Sequence, residues 1–203
     1  MEEIALFKLK GLKKMPFMTV VSPDLIQPNG SSPIHAAHVG GKLHAGVWIH
    51  IIDSDGKLLF LKRTMALKTC PGFWGFLGEH THPDETPQQM AERALMEEVG
   101  LDSSHIQLST NMTHGPVMYY RKYPDGRIDD QLTWLWLVAL KGKGTETPLK
   151  FDDEVAESKW MGIGEAQRWV KQTPSDFCHE TVSTLIKRGL AFLEPCAKAP
   201  RSA

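Results

Sequence analysis

From Ala45 to Arg63 the chain reads AGVWIHIIDSDGKLLFLKR, two apolar runs on either side of a polar turn. Valine, isoleucine and tryptophan suit a pleated, half-buried surface, and Asp55-Gly56 is the dipeptide that a tight hairpin favours. The segment predicts a β-hairpin. A second hairpin is predicted between Pro116 and Leu140, where Pro124-Asp125-Gly126-Arg127 makes the turn and Leu132, Trp134, Trp136 and Val138 alternate along the return strand. Thr64 to Gly78 predicts a loop running into a short strand, and SKWMGI, from Ser158, another strand.

The pattern changes period between Thr86 and Val99. Met90, Ala91, Ala94 and Leu95 fall on one stripe of a helix. Thr86 suits the N-cap, Pro87 the first helical position and Gln89 the third, where it completes a capping box. Gly100 supplies the stop. GEAQRWVKQ, Gly164 to Gln172, predicts a short helix, and Ser175 to Leu193 a longer amphipathic one. At the front, residues 1 to about 20 alternate apolar and basic positions like a strand, and Val21 to Pro33 is rich in Pro, Ser, Asn and Gly like a loop. The expected organisation is an N-terminal extension and linker over 1–33, a main domain over 34–195 and a flexible tail over 196–203. Strands interspersed with helices predict an α/β fold with helices packed on a mixed sheet.

With 203 residues, 41% hydrophobic and 23% charged, the chain is long enough for one domain with a substantial core. A net charge of -1 gives no sign of a nucleic-acid binder. Cys70, Cys178 and Cys196 are far apart and odd in number, so no disulfide framework or thiolate zinc site is expected. The opening residues hold no apolar run long enough for a secretion signal, and no run reaches the ~18 residues that a spanning helix needs. The expectation is a cytoplasmic protein in a reducing environment, with an organelle left open and no membrane contact.

Glu97 and Glu98 stand at the last turn of the Thr86–Val99 helix, where the macrodipole is already negative. Helix stability alone would favour Lys or Arg there. A cation that takes oxygen ligands would offset the repulsion, and Mg²⁺ does so while leaving room for substrate phosphates. Lys62 and Arg63 on the first hairpin are either phosphate contacts or a solvated strand edge. Trp74, Phe76, Trp134 and Trp136 read as packing residues ahead of base-stacking ones.

Glu85, seven intervening residues, then Arg93, Leu95, Glu97, Glu98, Gly100 and Leu101 are in register with the Nudix box, G-x5-E-x7-R-E-U-x-E-E-x-G-U. The chain resembles that family from about residue 40 to 195. The resemblance implies an α/β/α sandwich with a mixed sheet and Mg²⁺- or Mn²⁺-dependent hydrolysis of a nucleoside diphosphate linked to another moiety. It implies Glu97, Glu98 and Glu85 as metal ligands and Glu98 or Glu154 as the base that activates water. Arg93 would orient the box carboxylates, and Lys62, Arg63, Gly78 and Glu79 would meet the substrate. A small nucleotide derivative is the implied partner, capped RNA stays open, and a homodimer is in keeping with the family.

Two positions depart from the box: Glu79 stands for its glycine and Ala94 for the glutamate after the arginine. They motivate an alternative, a binding or regulatory module with weakened catalysis. His44, His80 and His82, with LLFLKRTMALKTCPGFWG and DDEVAESKW, also resemble the isopentenyl diphosphate isomerase branch of the fold. That branch implies a cysteine in the strand after PGFW, where this chain reads GFLGEH.

Overall fold

The computed structural model describes residues 2–11 and 15–178, together with Ile186, Lys187 and Leu190. Its strands are β1 (Glu3–Leu9), β2 (Ile26–Pro33), β3 (His44–Ile52), β4 (Lys57–Arg63), β5 (Trp74–Gly75), β6 (Leu77–His80), β7 (Ile106–Asn111), β8 (Val117–Lys122), β9 (Ile128–Leu140) and β10 (Val155–Gly162). The helices are α1 (Ile34–Gly40), α2 (Pro87–Val99) and α3 (Ile163–Gln172). Contacts divide the chain into two units, one of Met1–Trp48, Gly78–Ala94 and Thr110–Trp136, the other of Ile49–Leu77, Leu95–Ser109 and Leu137–Ala203.

In the first unit β1 lies between β2 and β3. The stretch expected as a loop is thus largely strand: IQPNGSSP pairs antiparallel with β1 from Ile26↔Leu9 to Pro33↔Glu3. Its residues have poor strand propensity, so the pairing derives from the open main-chain groups of β1. An edge strand tolerates prolines in a way that a central one does not. Gly30, at φ +87°, and a register shift between Ala5 and Phe7 absorb the irregularity. β8 and β9 form the expected hairpin, in register from Val117↔Thr133 to Lys122↔Ile128. Val21, Ala45, Met118 and Leu132 make one core cluster here, and Ile4, Leu6 and Ala37 a second.

In the second unit β4 pairs antiparallel with β10, from Lys57↔Gly162 to Arg63↔Val155, and with β5. Phe60 stacks within 4.7 Å of Phe76 and 5.4 Å of Trp169, which in turn meets Trp74 at 5.4 Å and Phe177 at 4.9 Å. Trp74 and Phe76 are packing residues, as their apolar surface favours. Cys70 and Cys178 are disulfide-bonded, with Cα atoms 5.1 Å apart across 108 residues of sequence. This corrects the expectation of no disulfide. The spacing along the chain conceals the pairing, whereas a bridge between Trp74 and Phe177 brings the two segments side by side. Pro174–Asp176 is a single 3-10 turn and Phe177 is extended, so no helix starts at Ser175. The remainder of the Ser175–Leu193 expectation, apart from helical Ile186, Lys187 and Leu190, and the whole 196–203 tail lie outside the described residues. Among the described residues no helix is long and apolar enough to cross a membrane.

The first hairpin turns on Asp53. Its Oδ1 accepts the N–H groups of Asp55 and Lys57 at 2.9 and 2.8 Å, and its Oδ2 accepts that of Gly144 at 3.0 Å. The residue is only 3% exposed. Asp53→Ala leaves three N–H donors without this acceptor. The expected loss is about 2–4 kcal/mol in urea unfolding, since bonds to a charged acceptor are worth about 1.5–3 kcal/mol each and water replaces some of them.

Candidate active site

The start of α2 is fixed by its own sequence. Thr86 N–H donates to Gln89 Oε1 at 2.9 Å, Gln89 N–H donates back to Thr86 Oγ1 at 3.3 Å, and Met90 N–H reaches Thr86 O at 3.0 Å. This is the expected capping box. It sets the rotation of the helix and hence where Arg93 points.

Arg93 Nε donates to Glu85 Oε1 at 2.8 Å and Nη2 donates to Glu85 Oε2 at 3.0 Å. The planar fork matches a carboxylate in this way where lysine would not. Nη2 also donates to the carbonyl of His80 at 2.7 Å, and Nη1 lies 3.6 Å from Glu79 Oε2. Glu85 Oε2 accepts the His82 N–H at 2.9 Å. Burial works to raise the Glu85 pKa, but the Arg93 and His82 hydrogen bonds together outweigh it and hold the group below its ordinary 4.5.

Beside this clasp stands a second group of donors. His38 from α1, His44 from β3 and His80 from β6 each bring a nitrogen within 4.8 Å of the others. His44 Nε2 is 3.2 Å from Asp129 Oδ1 of β9, at ion-pair distance but without hydrogen-bond alignment. His44 Nδ1 is 2.9 Å from the Lys42 carbonyl, which only accepts, so Nδ1 carries the proton. His44 thereby turns Nε2 toward a carboxylate oxygen, a geometry in which both atoms can serve one cation. Among the described residues His38 Nε2 is buried with no hydrogen-bond partner. Burial, reinforced by His44, Arg127 and His35, lowers the His38 pKa despite the pull of Asp129. Burial pushes Asp129 the other way, and the surrounding His44, His80 and His38 hold it low. Three imidazoles and one carboxylate fit a divalent transition ion such as Mn²⁺ or Zn²⁺.

His82 lies elsewhere, 3.3 Å from Glu2, so the sequence reading that grouped it with His44 and His80 is corrected in favour of His38. His38 and Asp129 were both missed. IHAAHVGG holds a histidine six residues before His44, and in RIDDQ strand alternation puts Asp129 and Gln131 on one face with Thr133, a polar row in an otherwise apolar strand.

The other residues singled out by the sequence fall as follows. Glu97 is exposed and Glu98 half-buried on the last turn of α2, which ends at Gly100 with φ +68°. Ala94 is fully buried, so a carboxylate in its place would have to be desolvated. Lys62 Nζ pairs with Glu157 at 2.7 Å and Arg63 Nη2 with Glu154 at 3.4 Å. Gly78 is exposed, and the strand around it, Leu77–His80, contains no thiol.

Arg93→Met should destabilise the fold by about 1–2 kcal/mol at neutral pH, the size of a charge-assisted bond in a partly exposed setting. Because folding depresses the Glu85 pKa, the stability that this group contributes is complete above its unfolded value and is lost as pH falls through the folded one. The gap between wild type and variant should therefore narrow below the ordinary 4.5. Denaturant unfolding at neutral and acid pH measures it, and a gap independent of pH would refute the assignment.

The NUDIX domain family model matches residues 42–180. An isopentenyl-diphosphate Delta-isomerase from Pectobacterium atrosepticum is 28% identical over 165 residues, which cover 80% of this chain and 87% of that protein. One from Corynebacterium glutamicum is 31% identical over 147 residues, covering 70% of this chain and 75% of that protein. The solved structure of a NUDIX hydrolase from Nitrosomonas europaea superposes with a TM-score of 0.52 at 15% identity, over 79% of this chain and 94% of that one. The fold is thus the α/β sandwich with a mixed sheet, and the chain belongs to the Nudix family.

Proposed function

We propose that the chain is a divalent-metal-dependent hydrolase that cleaves the diphosphate linkage of a nucleoside diphosphate joined to a second moiety. The observation that carries this reading is the fork of Arg93 on Glu85, which keeps an ionised carboxylate in one orientation at the head of the box helix. Arg93 and His82 fix the orientation of this acid, and the lone pair left on its Oε1 can serve a cation or the water shell of one.

Glu97 and Glu98 are the proposed ligands of Mg²⁺ or Mn²⁺, with Glu85 acting through water. The metal, when bound, neutralises diphosphate charge and lowers the pKa of water. Glu98, or Glu154 in its stead, accepts the proton of the attacking water. Arg93 keeps the box carboxylates oriented. Lys62 and Arg63 bring positive charge toward the phosphates while their pairs with Glu157 and Glu154 fix their position. Gly78, without a side chain, and Glu79 are proposed to border the substrate. The group of His38, His44, His80 and Asp129 is proposed as a separate site for a transition ion, on the strength of its three converging nitrogen donors.

A second reading, an isomerase of isopentenyl diphosphate, is favoured by that histidine group and by the named activity of the curated relatives. Two features weigh against it. Leu77–His80 offers no cysteine, and Cys70 is bonded to Cys178.

The full chain is to be incubated with Mg²⁺ or Mn²⁺ and a panel of nucleotide sugars, dinucleotides, ADP-ribose, oxidised nucleotides, capped RNA and isopentenyl diphosphate, with products followed by phosphorus NMR. Cleavage of a diphosphate linkage is expected, falling at least ~10²-fold in Glu98→Gln. Isomerisation of isopentenyl diphosphate without hydrolysis would replace this reading with the second. Tight binding without turnover would point to the regulatory module.

A further inference from the structure

Glu79 occupies the place where the Nudix box has glycine, and the side chain is not idle there. It is 15% exposed, and its Oε1 accepts the N–H of His80 while its Oε2 faces Arg93 Nη1 at 3.6 Å. Arg93 in turn holds the carbonyl of His80 through Nη2 at 2.7 Å. The two main-chain polar groups of His80 are thus gripped by opposite ends of one ion pair. The next residue is fixed as well: Thr81 N–H donates to Ala45 O at 3.0 Å, and Ala5 N–H donates to Thr81 O at 2.8 Å. The backbone that carries the His80 ring is therefore held on both sides, with His44 directly before Ala45. The ring itself stands 5.3 Å from those of His38 and His44, and its Nδ1 lies 3.9 Å from Glu79 Oε1.

Gly46 completes the arrangement. A Cβ there would come within 2.6 Å of the Glu79 carbonyl and 2.2 Å of Gln131 Nε2. The close approach of β3 to the Glu79 main chain thus depends on a bare Cα.

We propose that Glu79 is a positioning residue for the three-histidine group: with Arg93 it clamps the His80 main chain, sets the direction of that imidazole, and so couples the box arginine to the metal affinity of the histidine group. The proposal rests on the reading of His38, His44, His80 and Asp129 as a transition-ion site. A ligand whose support is removed loses about 10–100-fold in metal affinity in comparable sites. Glutamate here does work that glycine could not.

The test uses Co²⁺ with the full chain in excess Mg²⁺, so that the oxygen-ligand sites are filled, and reads both affinity and the visible absorption bands. Glu79→Gly should bind Co²⁺ about tenfold or more weakly, with shifted bands, because the ligand field follows the direction of the imidazole. Glu79→Gln keeps an acceptor for the His80 N–H and loses only charge, so the bands should stay in place while affinity falls by a smaller factor. Loss of Co²⁺ binding in His80→Ala identifies the histidine group as the site. If His80→Ala binds like wild type, or wild type does not bind, the metal reading falls and the proposal with it. If His80→Ala loses binding while Glu79→Gly keeps wild-type affinity and bands, the metal reading stands and the clamp is refuted. Should Glu79→Gly fail to fold by circular dichroism, unchanged affinity in Glu79→Gln is the refuting result.

Discussion

A single guanidinium organises the candidate site. Arg93 binds Glu85 in a fork, the carbonyl of His80 and the carboxylate of Glu79, and so joins the end of β6 to the residue that precedes the α2 cap. The low local dielectric that strengthens the bonds of such a hub also penalises any that are missing. Two glutamates share one arginine, so the clasp carries a net negative charge before any ion arrives. That excess sits beside a group of imidazoles and a half-buried aspartate, a distribution suited to a doubly charged guest.

Two kinds of donor occur in the chain, and they select different ions. The acids at the end of α2 offer hard oxygen ligands, the natural shell of Mg²⁺. The histidine group offers nitrogen, which Mg²⁺ shuns and Mn²⁺ or Zn²⁺ accepts. The Nudix family supplies the setting for the first kind. The histidine group draws on α1, β3 and β6, and the strand Leu77–His80 beside it contains no thiol. The two readings proposed for the chain differ in which donor set would face the substrate.

Much of the fold was legible because turns announce themselves. Asp55-Gly56 and Asp125-Gly126 each sit between alternating runs, and both hairpins form there, with Gly56 at φ +77° and Gly126 at φ +89°. The α2 cap was legible for the same local reason. β2 was not, because its strand character belongs to the partner it pairs with rather than to Pro, Asn and Gly. Within the site, Arg93 was legible as the arginine that orients a box carboxylate, but its fork on Glu85 was not, since helical spacing points first to Glu97, four residues on. The histidine group was only half visible: its members come from α1, β3 and β6, and no local period links them. Asp129 was hidden for a further reason, as a half-buried acid reads like a surface one until its neighbours are known.

The Cys70–Cys178 bond ties the loop after β4 to the segment beyond α3 and closes a covalent ring across 108 positions. A ring of that length restricts the denatured chain far more than the native one, on the order of 4–5 kcal/mol in the chain-entropy view. Protein made in a thiol-rich medium and protein matured in an oxidising one are then different starting materials, with the same surface but unequal reserves against heat. A protease nick within the ring would also leave both fragments joined until a reductant released them.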